Sequence, residues 1–173
     1  MNERQLPKES TIYNYRLLTR VRYSTVYRYS YLGLLAACFA YDLYQKDPLR
    51  LPICIFLTAL VHHWFIRLLF KMKEERTPLK SWSYHAALPW IGLVPDQYYS
   101  LSKFKKNNLQ LFWVPLLIIA CTYPWVSTST LLHLIGVHIW LLAPRFLILL
   151  RFKKHTKIGL IKINPQDTSC YTQ

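Results

Sequence analysis

The stretch KMKEERTPLKSWSYHAALPWIGLVPDQYYSLSKFKKN, residues 71–107, decides how the rest of the chain is interpreted. It lies between two long apolar regions, and its basic residues are Lys71, Lys73, Arg76, Lys80, Lys103, Lys105 and Lys106. Loops on the cytoplasmic side of a membrane concentrate Lys and Arg. We therefore expect this segment to face the cytoplasm and the apolar regions on either side to enter a membrane.

Four apolar runs flank this segment, and each approaches the length that crosses a bilayer. They cover residues 29–44, 51–70, 109–126 and 131–150 of a 173-residue chain that is 53% hydrophobic. A transmembrane helix needs about 20 mainly apolar residues. The sequence therefore predicts an all-α integral membrane protein with four transmembrane helices, arranged as two hairpins at 29–70 and 108–152.

The placement of charge predicts the orientation of these helices. The net charge is +14, yet the two short connections within the hairpins contain only Lys46 and Arg50 as basic residues. The positive-inside rule then puts both termini in the cytoplasm, with 1–28 as a basic interfacial segment and 153–173 as a cytoplasmic tail. No signal peptide is expected. Because basic clusters lie at the ends of the runs, we expect contact with membrane lipids rather than with nucleic acid.

The middle of the basic loop contains one more apolar segment, SWSYHAALPWIGLVPDQYYSL, residues 81–101. Pro89, Gly92, Pro95 and Asp96 interrupt it, and basic residues flank it on both sides. If it crossed the bilayer, the two basic clusters would lie on opposite sides, against the charge rule. We therefore predict a re-entrant or interfacial segment that is broken around Pro89 and packs on the helices or on a partner.

Ionisable side chains inside the apolar runs are the usual candidates for function in a membrane protein. They are Asp42, His62, His63, His133, His138 and Arg145. The adjacent histidines point about 100° apart on a helix, and the other two are five positions apart, which does not place them on one face. No carboxylate stands at helical spacing from either pair. We therefore predict interhelical hydrogen bonds rather than a metal site, and no cofactor.

Two ion pairs are also suggested by position. Asp42 precedes Lys46 by four residues, the spacing at which side chains meet on a helix. Arg145 would pair with Asp96 if the central segment folded back onto the last helix.

The sequence contains no GxSxG, P-loop, HExxH or paired acidic motif, so we do not expect an enzyme. A subunit of a larger membrane complex is the leading interpretation. A membrane regulator or immunity protein is one alternative. Another is a small transporter or membrane enzyme that uses His62, His133, His138 and Arg145.

Two stretches carry a resemblance to a known family. They are Thr11-Ile12-Tyr13-Asn14-Tyr15-Arg16 leading to Val26-Tyr27, and Trp64-Phe65-Ile66-Arg67-Leu68-Leu69 followed by Thr77-Pro78-Leu79-Lys80. Together they resemble the TcpE-type membrane proteins of conjugative transposons, over about the first half of the chain. The resemblance implies a non-catalytic subunit of a DNA-transfer apparatus, type IV secretion-like, in the cell membrane of Gram-positive bacteria. It also implies a cytoplasmic ATPase as a partner.

The residues expected to bind such partners lie at the first cytoplasmic exit and in the central segment. The exit contributes Arg67, Lys71, Lys73 and Arg76, and the central segment contributes Trp82, Trp90 and Asp96.

Overall fold

The computed structural model describes residues 15–72, 82–85 and 90–173 of the chain. These ranges contain the helices α1 (Thr25–Tyr44), α2 (Arg50–Met72), α3 (Leu101–Cys121) and α4 (Thr128–Arg151). They also contain the strands β1 (Arg16–Arg22), β2 (Trp82–His85), β3 (Gly92–Pro95), β4 (Tyr99–Ser100), β5 (Leu160–Ile163) and β6 (Asp167–Thr172). Each helix overlaps one of the four apolar runs.

The prediction of an all-α fold is wrong, because the described chain contains two antiparallel sheets. One sheet has the strand order β1-β6-β5-β4, and the other consists of β2 and β3. Strand β1 pairs along its length with β6, from Arg16 opposite Thr172 to Arg22 opposite Asp167. Val21 is partly buried against the hydrophobic core, whereas Arg22 is exposed. The two ends of the described chain are thus joined in one sheet.

The prediction of four transmembrane helices is also wrong. Among the described helices, only α2 and α4 are long and apolar enough to cross a membrane. Helix α3 begins with polar turns that contain Lys103, Lys105, Lys106, Asn107 and Asn108, so its apolar part runs only from Leu109 to Cys121. Helix α1 contains Arg28 and Asp42 together with several tyrosines, which lowers its apolar character.

The central segment contains the antiparallel strands β2 and β3 and not a broken helix, whereas its re-entrant or interfacial placement stays a prediction. In this pair of strands Trp82 lies opposite Pro95 and His85 lies opposite Gly92. The pairing satisfies backbone groups within the segment, which a broken helix would leave to its surroundings. Ser81 and the predicted break at Pro89 lie outside the described residues.

The helices form a bundle with distinct ends. Arg50, at the start of α2, donates a 2.8 Å hydrogen bond to the hydroxyl of Ser129, near the start of α4. Further along the same two helices, His62 contacts His138. Helices α2 and α4 therefore run parallel, and α1 and α3 run in the opposite direction. We call the end with the connections 45–49 and 122–127 the turn end, and the end with the four-stranded sheet the sheet end.

Two hydrophobic clusters hold the fold together. At the sheet end, Phe104 and Phe152 are fully buried with Val94 of β3 and Ile161 of β5. Nearer the turn end, a smaller cluster joins Leu51, Cys54, Ile119, Leu134, Val137 and Leu141. Helix α1 contributes no fully buried side chain to either cluster and packs against them through the partly buried Tyr27 and Leu35. The bundle is therefore tightest where α2, α3 and α4 meet the sheets.

Candidate functional site

Five buried or mostly buried ionisable side chains follow one another between the helices. Asp42 and His133 meet at the turn end, His62 and His138 meet in the middle, and Arg145 lies nearer the sheet end. The three members on α4 extend over about 18 Å, since a helix rises about 1.5 Å per residue. We call these five residues the polar column. All five residues are among the ionisable candidates that the sequence analysis named one by one.

At the turn end, the carboxylate of Asp42 is fully buried beside the imidazole of His133 and the guanidinium of Arg50. Nε2 of His133 lies 2.9 Å from Oδ1 of Asp42, and a guanidinium nitrogen of Arg50 lies 4.0 Å from the same oxygen. Arg50 also binds Asp47 at 2.7 Å. No described donor is aligned for a hydrogen bond with either Asp42 oxygen, so these contacts are electrostatic. They tie α1 to α2 and α4.

The expected pair of Asp42 with Lys46 is not formed. Lys46 is exposed in the connection after α1, where it has a positive φ of 59°. The chain reverses at this residue, which takes the lysine off the helix. The partners of Asp42 come instead from α2 and α4. Spacing rules apply within one helix, so they do not predict contacts with these other helices.

In the middle of the column, two imidazoles form a directed chain of hydrogen bonds. Nε2 of His138 lies 3.1 Å from the carbonyl oxygen of Phe112, which only accepts. His138 therefore carries its hydrogen on Nε2, and its Nδ1 accepts from Nε2 of His62 at 2.9 Å.

Nearer the sheet end, the guanidinium of Arg145 is buried among neutral acceptors. It donates to the carbonyl oxygens of Ile91 at 3.2 Å and Leu93 at 3.1 Å, and to the amide oxygen of Asn108 at 3.4 Å. Its carbon Cζ lies 5.9 Å from the ring centroid of Trp90. No carboxylate within the described ranges pairs with it. Arg145 thus fastens the central segment to α3 and α4.

The central segment does fold back onto α4, but Arg145 does not pair with Asp96. Asp96 is exposed, accepts a hydrogen bond from the Ser83 hydroxyl, and lies 3.4 Å from Nε2 of His85. Gly92 has a φ of +102°, and a Cβ placed there would lie 3.3 Å from Nη2 of Arg145. Glycine therefore allows both the turn and the close approach of the guanidinium.

Among the residues predicted to bind partners, those that the structure describes do not form one surface. Arg67 and Lys71 are exposed near the end of α2, and Lys73 and Arg76 lie outside the described residues. Trp82 is buried against Phe70, Tyr99 and Phe104, with ring centroids 5.0 to 6.4 Å apart. Trp90 is buried and donates a hydrogen bond to the hydroxyl of Tyr23. Both tryptophans therefore stabilise the core.

His63 is partly buried and lies edge-on to Tyr84, with ring centroids 6.3 Å apart. It points away from the imidazole pair, as the angle between adjacent helical residues requires. The described chain contains no group of three or more His, Cys, Asp or Glu side chains that could hold a metal ion.

Several residues of this region were not anticipated from the sequence. Arg50, Ser129 and Asn108 contact the column, and Tyr31 and Trp140 connect α1 to α4 beside it. One signal was present, since Pro144 lies four residues after Trp140 and leaves its carbonyl without a helical donor. The other contacts depend on which helices are neighbours, which spacing alone does not reveal.

Comparison with protein-family models, with curated proteins and with solved structures finds no match to this chain.

Proposed function

We propose that this protein is a membrane-embedded, non-catalytic subunit of a multi-protein complex. In this proposal the apolar outer faces of α2 and α4, the two candidate spans, lie in the bilayer with α1 and α3 packed beside them, and the sheet end faces the cytoplasm. The observation that carries it is the apolar outer surface of the helix bundle.

That surface bears large apolar side chains on every helix. On α2, α3 and α4 the exposed examples include Ile53, Phe56, Leu60, Trp64, Leu68, Trp113, Leu117, Ile118, Leu132, Ile139, Leu147 and Leu150. In the two helices long enough to cross a membrane, only 33% of the apolar stretch of α2 and 44% of that of α4 is buried within the chain. A helix from a soluble core would be mostly buried, and a soluble monomer rarely exposes apolar patches of this extent.

The distribution of charge supports the orientation. Basic residues gather at the sheet end, namely Arg16, Arg20, Arg22, Arg28, Lys71, Lys103, Lys105, Lys106, Arg151, Lys153, Lys154, Lys157 and Lys162. Between Asp42 and Arg50 at the turn end, two acidic and two basic residues cancel. The side with the excess of Lys and Arg is the one that stays in the cytoplasm.

The polar column supports a structural role rather than catalysis. Arg145 and His138 donate hydrogen bonds to backbone carbonyls of neighbouring elements, and Asp42 faces His133 and Arg50. Polar groups that satisfy one another between helices fix how the helices pack. The resemblance in the first half of the chain is the reason for proposing that this complex is a conjugation apparatus of a Gram-positive cell membrane. Its cytoplasmic ATPase would dock at one part of the sheet end, on the exposed Arg67 and Lys71 at the end of α2.

The test is affinity purification of the tagged protein from crosslinked native membranes, followed by mass spectrometry. We expect co-purification of other membrane subunits and a cytoplasmic ATPase. The variant Arg67→Gln/Lys71→Gln should lose the ATPase if it docks at the exit of α2, whereas Lys153→Gln/Lys154→Gln, which removes the same charge elsewhere, should retain it. Recovery of the protein alone would contradict the proposed complex and favour a stand-alone regulator.

A second candidate function is proton transfer across the membrane, favoured by the two imidazole contacts of the polar column. Thr58 lies one helical turn before His62 and its buried hydroxyl has no partner among the described residues, so it could extend the chain toward the turn end. When the external pH is lowered, the interior of vesicles that contain the protein and a trapped pH dye should then acidify faster than that of vesicles without the protein. The variant His62→Gln/His138→Gln should abolish that flux, while His155→Gln at the sheet end should not. Equal rates with and without protein would exclude this function.

A further inference from the structure

A cleft opens at the sheet end where strand β1 leads into helix α1. Its walls are formed by Val21 and Arg22 of β1, Tyr27 in the first turn of α1, and Leu147 and Arg151 near the end of α4. Its volume is about 250 Å³. This is a little below the range of about 300–1,000 Å³ that is usual for sites of whole small organic ligands, so the cleft suits part of a larger ligand, such as a headgroup.

Two unpaired cations belong to this cleft. Arg22 and Arg151 are both exposed, and neither forms an ion pair with a carboxylate in the part of the chain that the structure describes. The nearby Arg20 differs, because its guanidinium lies 3.2 Å from Asp167. No acidic side chain lines the cleft. A planar guanidinium can donate two parallel hydrogen bonds to a phosphate group.

The other walls are apolar and continue into the outer surface of the bundle. Val21 and Ile148 line the cleft, and Leu147 beside them is about half exposed. Leu150 is also exposed on the same last turns of α4. The cleft therefore has a cationic side facing the basic sheet end and an apolar side facing the helices. A free phosphate ion would use only the cationic side.

We propose that this cleft binds one anionic phospholipid, with its phosphate between Arg22 and Arg151 and its first acyl carbons along Leu147 and Ile148. The ligand would anchor β1 and α1 to the end of α4, which matters because α1 buries few residues of its own. This proposal adds a specific lipid site to the proposed membrane embedding. It is tested in detergent solution, so its failure is distinguishable from a failure of membrane insertion.

The experiment uses the full-length, delipidated protein in a mild detergent and titrates it with dioctanoyl phosphatidylglycerol. Native mass spectrometry counts the bound lipid, and the thermal shift gives the affinity. We expect one saturable lipid per chain. Dioctanoyl phosphatidylcholine, which carries no net charge, should bind at least about tenfold more weakly, because charge-assisted hydrogen bonds to phosphate are strengthened by the net negative charge.

Variants locate the site. Arg22→Gln/Arg151→Gln should weaken phosphatidylglycerol binding by about tenfold or more, because both charged donors are lost. Arg22→Lys/Arg151→Lys should restore part of the affinity, since lysine keeps the charge without the fork. The matched control Arg16→Gln/Lys154→Gln removes the same charge outside the cleft and should bind like the wild type. All four side chains are exposed, so folding is checked simply by an unchanged size-exclusion profile.

Three outcomes would overturn the proposal. One is equal binding of the two lipids, which would mean that the charges take no part. Another is an equal loss of phosphatidylglycerol affinity in the control variant, which would show that the affinity depends only on the overall charge of the protein. The third is saturation by inorganic phosphate at the same concentration as the lipid, which would assign the site to a free anion.

Discussion

The hydroxyl of Tyr31 donates a 2.8 Å hydrogen bond to the carbonyl oxygen of Trp140, and the indole N–H of Trp140 donates a 3.1 Å bond back to the carbonyl oxygen of Tyr31. Their rings stack with centroids 4.2 Å apart. Pro144 has no N–H, so the Trp140 carbonyl lacks its usual donor within α4. Tyr31 supplies the missing donor, and this reciprocal pair attaches α1 to the bundle.

Replacing Tyr31 by phenylalanine should remove that donor while keeping the stacked ring. We expect the free energy of unfolding to fall by about 1–2 kcal/mol, because a buried carbonyl is left unpaired. In a Pro144→Ala background the restored backbone N–H can bond Trp140, so the same change should cost less than half as much. Denaturant titrations followed by tryptophan fluorescence measure the four proteins of this cycle. Equal costs in both backgrounds would refute the link to Pro144, and Tyr29→Phe on the exposed face is the control.

The carboxylate of Asp42 should contribute more to the free energy of unfolding than that of Asp47, although both lie near Arg50. Asp42 is fully buried against His133 and Arg50, whereas Asp47 is 46% exposed. We expect Asp42→Asn to cost about 3 kcal/mol, because it removes the buried carboxylate that faces Arg50 of α2 and His133 of α4. Asp47→Asn should cost less than about 1 kcal/mol. The free energy of unfolding of each variant decides the matter, and similar losses would show that burial of Asp42 has no special effect.

Two glycines provide a matched test of the contact between the central segment and Arg145. Gly92→Ala adds a Cβ at a positive φ and 3.3 Å from the guanidinium, so we expect a loss of about 1–3 kcal/mol in stability. Gly136 lies within α4 and a Cβ there would meet nothing within 4 Å. Gly136→Ala should therefore stabilise the protein by about 0.5–1 kcal/mol. Thermal unfolding of both variants measures this contrast, and a shift in the same direction for both would contradict it.

The hydroxyl of Tyr23 should make stability depend on alkaline pH. Burial raises its pKa from 10.0 to about 12, with Asp167 and Tyr27 adding to the rise and hydrogen bonds with Thr168 and Trp90 opposing it. Because the folded state holds the proton more tightly, this contribution is complete below pH 10 and is lost as the pH rises toward 12. The loss amounts to about 2–3 kcal/mol, at about 1.4 kcal/mol per pKa unit.

The measurement is the free energy of unfolding at pH 9, 10.5 and 12 for the wild type and for Tyr23→Phe. The variant loses hydrogen bonds at every pH, but its slope across this window should be flatter than that of the wild type. Parallel slopes would assign the alkaline loss to other groups.

The sequence located the helices because each is a continuous apolar run, and it missed the sheets for equally physical reasons. In β1 only Arg20, Val21 and Arg22 alternate, because the pairing shifts register between Leu17 and Thr19 and interrupts the period of two. The basic residues and tyrosines of this stretch indicated an interfacial segment instead. In β6, the residues DTSCYT have little apolar alternation to indicate a strand. Its partner β1 lies about the whole length of the chain away, and nothing local predicts that pairing.

The polar column shows the same limit. Spacing rules compare residues on one helix, and by that measure His133 and His138 share no face. In the folded chain each imidazole instead meets a residue from another helix, Asp42 for one and His62 for the other. Arg145 was expected to pair with Asp96 of the central segment, but it donates to the backbone carbonyls of Ile91 and Leu93, which no side-chain pattern predicts.

The measurement that tests the central claim most directly is cysteine accessibility in intact cells. The exposed native thiols are removed by Cys38→Ser and Cys121→Ser, and a single reporter is introduced by Lys46→Cys at the turn end or Lys154→Cys at the sheet end. Membrane embedding with a cytoplasmic sheet end predicts that a membrane-impermeant maleimide labels the turn-end reporter in intact cells and the sheet-end reporter only after lysis. Labelling of both reporters only after lysis, with the protein in the soluble fraction, would contradict the account.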